Sequence, residues 1–178
     1  MDGNERFRAD EELQLSLYWK DPERRTNEDR LLLKYWREVG GVIFTEVPIV
    51  RHGPREWPLG AVRYGPRLWP PGAKGRRIDG VRIVAPPPGL RDSIYSFVRG
   101  ASGHLIASFI AGAQVEVIEV KQDLNRPVIG QVIAGADLLE MEYAPAQVDP
   151  VVVCAVGDAA LEAVCERRGI AVFVRAAE

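Results

Sequence analysis

An α/β domain with a mixed central sheet flanked by helices is the fold this sequence predicts. Three features predict it. Apolar, β-branched runs at 41–50, 76–84 and 115–121 read as strands. Segments of helical periodicity stand before the first run and after the third. The C-terminal stretch 151–176 then reads strand–helix–strand. At 178 residues the chain fits one domain with a substantial core.

Taken in order, residues 9–20 (ADEELQLSLYWK) predict a short amphipathic helix with Leu13, Leu17 and Tyr18 on one face. Residues 1–25 are therefore expected to form a helical extension to a domain spanning 26–178. Thr26 suits the N-cap of the next helix, with Asp29 three residues on as the acid of a capping box. LLLKYWREV continues that helix and Gly40-Gly41 ends it. GVIFTEVPIV (41–50) is the first strand. Residues 51–75 are too rich in proline and glycine for a helix and read as an irregular or hairpin-like insertion. RRIDGVRIV (76–84) is the second strand, stopped by APPPG. Residues 85–114 read as a second insertion, partly helical over 91–112. VEVIEVK (115–121) is the third strand.

Pro127 fits the first turn of a helix running to about residue 143, which Ala144-Pro145 terminates. Gly130 and Gly135 within it are expected to let the helix pack closely on the sheet. VVVCAVG (151–157) is the next strand. The helix at 159–169 and the strand at 170–176 form a C-terminal αβ extension. The order is α-β-β-β-α-β-α-β, with no internal repeat.

Composition excludes several classes. No apolar run approaches the roughly 18–20 residues that span a bilayer, and the charged segment MDGNERFRADEE lacks the apolar stretch expected of a signal peptide. The expectation is a cytoplasmic protein with no membrane partner. Cys154 and Cys165 fit neither a disulfide framework nor zinc knuckles and read as buried free thiols. His52 and His104 have no ligand-spaced partners. Charge distribution is more telling. Residues 51–100 hold ten Lys/Arg against three acids, a net of +7 in a chain whose total is −2. A basic segment of this kind suits phosphate binding, although an Arg-rich solvated loop would look the same.

The chemistry sits on the third strand. Side chains alternate along a strand, so Glu119 and Lys121 leave VEVIEVK on one side. The strand is apolar enough to be central, and buried charges are costly unless paired or bound to a metal. Asp79, at the end of the preceding strand pattern, is the natural partner. Two carboxylates and the backbone carbonyl of Val120 are hard oxygen donors suited to Mg2+ (or Mn2+). Such a site, with Lys121 beside it, fits phosphodiester hydrolysis. A surface ion pair on an edge strand is the plainer alternative for Glu119 and Lys121.

IDG at 78–80, EVK at 119–121 and a following helix that carries Gln131 resemble the PD-(D/E)XK nuclease superfamily. The resemblance implies a restriction-endonuclease-like αβββαβ core over roughly 26–157. It implies Asp79 and Glu119 as metal ligands, Lys121 as the catalytic lysine, DNA as the substrate and a homodimer as the assembly. It also draws in Gln131 and Glu28 as catalytic residues, the latter otherwise a helix-dipole acid. Departures are the isoleucine at 78 in place of proline, the long gap between Asp79 and Glu119, and glycine at 135 where one group has tyrosine. Glu46 would face either the site or solvent. Lys74, Arg76, Arg77 and Arg82 are the expected nucleic-acid contacts, with Trp57, Tyr64 and Trp69 available for base stacking or for the core. Two other readings stand beside the nuclease: a non-catalytic DNA-binding or assembly module of the same fold, and a nucleotide-binding α/β protein. The last has no glycine-rich phosphate loop.

Overall fold

A computed structural model describes residues 15–17, 23, 25–49, 74–86, 90, 92–97 and 103–175. The elements are β1 (Leu15–Leu17), α1 (Asn27–Val39), β2 (Val42–Ile49), β3 (Arg76–Ile83), β4 (Ser93–Phe97), α2 (Gly103–Ile110), β5 (Gln114–Asp123), α3 (Arg126–Tyr143), β6 (Gln147–Val156), α4 (Ala159–Arg167) and β7 (Ala171–Val174). They build one seven-stranded mixed sheet, in the order β1-β4-β2-β3-β5-β6-β7, with helices on both faces. The strand β3 runs antiparallel to both its neighbours, β2 and β5, and α3 then carries the chain across to β6, parallel to β5.

Local chemistry accounts for the helix ends. Thr26 caps α1 through the reciprocal bonds of a capping box: its hydroxyl takes the Asp29 N–H at 3.1 Å, and its own N–H donates to the Asp29 carboxylate at 2.8 Å. Gly40, at φ +64°, ends the helix where a side chain would be strained. Asn125 caps α3 by accepting the Val128 N–H, with Pro127 in the first turn.

One face of the sheet carries α1, whose Leu31, Leu32, Leu33 and Tyr35 pack on Ile43, Ile118, Val120, Val151 and Val153. The other carries α2, α3 and α4 over Phe44, Val81, Val117, Val152 and Cys154. Cys154 and Cys165 are buried free thiols. Among the described residues no helix is long and apolar enough to cross a membrane.

Two expectations need correction. Leu15–Leu17, expected within a helix, is a strand antiparallel to β4. The backbone groups on the outer side of β4 offer a ladder there, and tertiary pairing overrides a weak helical pattern. The stretch 91–112, expected to be partly helical, holds helix at 103–110, and SIYSF (93–97) within it is the strand β4, parallel to β2. Its aromatic and β-branched content is the signal that favours a strand. Gly130 is exposed, and a methyl there would meet nothing, so it does not mediate close packing; Gly135 does. The aromatic residues Trp57, Tyr64 and Trp69 lie outside the described residues.

Candidate functional site

The site begins with a gap between two neighbouring strands. The β3–β5 ladder runs from Ile83 opposite Val115 to Gly80 opposite Ile118 and stops. Beyond it β5 stays paired with β6 as far as Asp123, and β3 stays paired with β2 as far as Arg76. The two central strands part at Asp79 and Glu119.

A matched irregularity in β2 and β3 marks the same level. The register is continuous, yet the Glu46–Asp79 pair is passed over. On β2 the residues facing α3 are Val42 and Phe44, then Val47 and Ile49. On β3 they are Ile83 and Val81, then Ile78. Strict alternation would put Glu46 and Asp79 on that apolar face, so both strands shift by one residue there. Glu46 takes up the shift with a left-handed backbone, φ +56°.

Freed from the apolar face, Asp79 turns into the gap. Its Oδ2 accepts the backbone N–H of Val120 at 2.9 Å. Lys121 donates through Nζ to the carbonyl of Val120 at 2.7 Å, to Glu28 Oε1 at 3.1 Å and to Asp79 Oδ2 at 3.4 Å. One carboxylate and one ammonium thus satisfy the two main-chain groups of Val120 that face away from β6. Burial lowers the proton affinity of the Lys121 amine, but Asp79 and Glu28 outweigh it and the net shift is upward. The amine stays charged.

Glu119 lies deeper, only 6 % exposed, on the α3 side. Gly135 of α3 passes directly over it: a methyl at that position would sit 3.8 Å from Glu119 Oε1, and 3.4 and 3.6 Å from Val117 and Ile78. Burial pushes the Glu119 carboxyl up to about 8, and the neighbouring Asp79 carboxylate adds to it by charge and by a shared hydrogen bond. Lys121 acts in the opposite direction without cancelling the effect. A buried carboxyl held against another carboxylate is stable only when it is protonated or offset by a cation. A surface pair on an edge strand is therefore not what Glu119 and Lys121 form, since β5 lies between β3 and β6.

Glu28 joins from the first turn of α1, half exposed, as a partner of Lys121. Glu46 is exposed at the same rim. Its charge reaches Asp29, whose carboxyl is raised first by burial and then by Glu46 against the Thr26 backbone bond. Gln131 lies one helical turn before Gly135, exposed, and is not among the hydrogen-bond partners of Asp79, Glu119 or Lys121. Lys74, Arg76 and Arg77 are exposed where β3 begins, and Arg77 pairs with Glu46 at 3.2 Å.

Arg82 does not belong with them. Its guanidinium donates to the Gly40 and Val39 carbonyls at the end of α1 and to Glu116, each at 2.8 Å, while the Tyr35 hydroxyl donates to Glu116 at 2.6 Å. The fork is spent on fastening α1 to the sheet, and Arg82, expected as a nucleic-acid contact, has that structural role here. The residue that sequence reasoning leaves undecided is Glu46; a non-glycine, left-handed position in a β-branched run has no signature in one sequence.

Among the described residues no group of three or more histidine, cysteine, aspartate and glutamate side chains has the arrangement of a metal site. The donor chemistry still fits a hard divalent cation. Glu119 is buried beside a second carboxylate, the setting in which such an ion offsets the charge of both. The Val120 carbonyl, expected as a third donor, is engaged by Lys121. Comparison with protein-family models, with curated proteins and with solved structures finds no match.

Proposed function

We propose that this chain is a metal-dependent nuclease of the PD-(D/E)XK, restriction-endonuclease-like type, hydrolysing DNA phosphodiester bonds. The observation that carries the reading is the pairing of Asp79 with buried Glu119 at the point where β3 and β5 separate, with Lys121 on the same rim. The succession α1-β2-β3-β5-α3-β6, interrupted by β4 and α2 between β3 and β5, supports it: β3 is antiparallel to β2 and β5, and a crossover helix then leads to a strand parallel to β5.

In this reading Asp79 and Glu119 hold Mg2+ or Mn2+. The ion, when bound, neutralises charge on the phosphate and makes a coordinated water more acidic. Lys121 supplies a charged donor for the reacting phosphate or for the attacking water. Glu28 steadies the Lys121 amine. Lys74, Arg76 and Arg77 extend a basic rim toward the phosphate backbone. A homodimer is the assembly that goes with this reading.

Purified protein incubated with supercoiled, linear and branched DNA tests it. Cleavage is expected with Mg2+ or Mn2+ and none with EDTA, and Lys121→Ala is expected to slow it by about 100-fold or more. Binding to DNA without cleavage under every metal would favour the non-catalytic module instead.

A further inference from the structure

Lys121 stands where a second cation would compete with it. Its Nζ contacts the Val120 carbonyl, Glu28 and Asp79 at 2.7, 3.1 and 3.4 Å, and two of these groups, Asp79 and the Val120 carbonyl, are oxygens that a hard cation at the proposed site would use. Two positive charges sharing Asp79 within a few ångströms repel strongly in a half-buried setting. The side chain has room to leave. It is 30 % exposed, on a flexible four-carbon stem, and Glu28 at 49 % exposure gives it a foothold nearer solvent.

We propose that Lys121 is the internal counter-ion of Asp79, and that a divalent cation taken up by Asp79 and Glu119 displaces its ammonium from the Val120 carbonyl. The inference rests on the nuclease reading of the site and deepens it. Lys121 then has two stations, one holding the strand gap together and one at the rim, and loading the site moves it from the first to the second.

Crystals soaked in Mn2+, located by its anomalous signal, together with calorimetric Mn2+ titration of Lys121→Met, provide the test. The expected result is Mn2+ on Asp79 and Glu119, Lys121 Nζ beyond hydrogen-bond distance of the Val120 carbonyl, and Lys121→Met binding Mn2+ about tenfold tighter than the native chain, because charge-assisted hydrogen bonds no longer have to be broken. Mn2+ in place with Nζ still on Val120 overturns the displacement and leaves the site reading intact. So does unchanged or weaker affinity in Lys121→Met. Absence of Mn2+ from Asp79 and Glu119, with no binding in solution by either protein, overturns the site reading and the displacement with it.

Discussion

The Asp79 carboxylate takes the backbone N–H of Val120 at 2.9 Å, and so occupies the ladder position that β3 gives up when it parts from β5. The acid here serves as a piece of the sheet. Substitutions at position 79 should therefore separate structural from chemical loss. Asp79→Ala leaves a half-buried N–H without its acceptor and is expected to lower stability by about 1–3 kcal/mol. Asp79→Asn keeps an acceptor oxygen and should lose less. Both should abolish metal-dependent cleavage. Denaturant melts beside a plasmid-cleavage assay check this; equal stability of the two variants would contradict the backbone role.

Glu119 gives a pH signature to the metal-free protein. Its carboxyl is raised from an ordinary 4.5 to about 8, by burial first and by Asp79 second. Between those values the folded chain retains a proton that the unfolded chain has released, so unfolding free energy falls as pH rises. The loss begins near 4.5 and levels off above about 8. Glu119→Gln removes this dependence. The variant should be more stable than the native chain at pH 8 in EDTA and show little such gain near pH 4.5; thermal melts across that range decide it, and a gain at every pH would speak against the carboxyl.

Glu46 is expected to matter through its backbone rather than its charge. At φ +56° a glycine is at ease and a β-branched residue is strained. Glu46→Gly should preserve or raise stability and keep Asp79 aimed into the gap. Glu46→Val should cost about 1–3 kcal/mol and reduce cleavage, because straightening β2 returns the paired shift in β3 to strict alternation. If the two variants behave alike, the left-handed residue is not what sets the paired shift of β2 and β3.

Arginines on β3 should divide into two kinds. Arg82→Ala strips Glu116 and two helix-end carbonyls of their donor and is expected to destabilise the fold by about 3 kcal/mol. DNA affinity of the folded fraction should not change. Removing Arg76 and Arg77 together should cost little stability, as Arg77 has one exposed ion pair. Affinity should fall for all sequences alike, and the slope of log affinity against log salt should become shallower by about one for each phosphate that is no longer neutralised. Chemical denaturation and a salt series of fluorescence anisotropy distinguish the two.

Much of the framework is legible in residue order. Thr26 with Asp29, Gly40 and Pro127 are signals that act over three or four residues, and the helices begin and end where those residues stand. The runs 41–50, 76–84 and 115–121 form β2, β3 and β5, because apolar β-branched sequences bounded by turn residues have few other uses. The stretches around β1 and β4 are not legible in this way. Three- and five-residue strands carry too little pattern to outweigh local propensity, and they exist because each finds a partner far along the chain.

By itself the sequence determined which residue types stand on which strand: an acid at 79, an acid and a lysine two apart at 119 and 121, and an acid at the start of α1. Only the tertiary structure decided that these four meet, because that depends on β3 pairing with β5 only from Gly80 onward and on α1 closing over the same end of the sheet. It also decided that Arg82, chemically like Arg76 and Arg77, fastens a helix to the sheet while those two stay exposed. A side chain's role is set by which backbone groups are left unpaired within its reach, and pairing is a property of distant segments, not of neighbours in the chain.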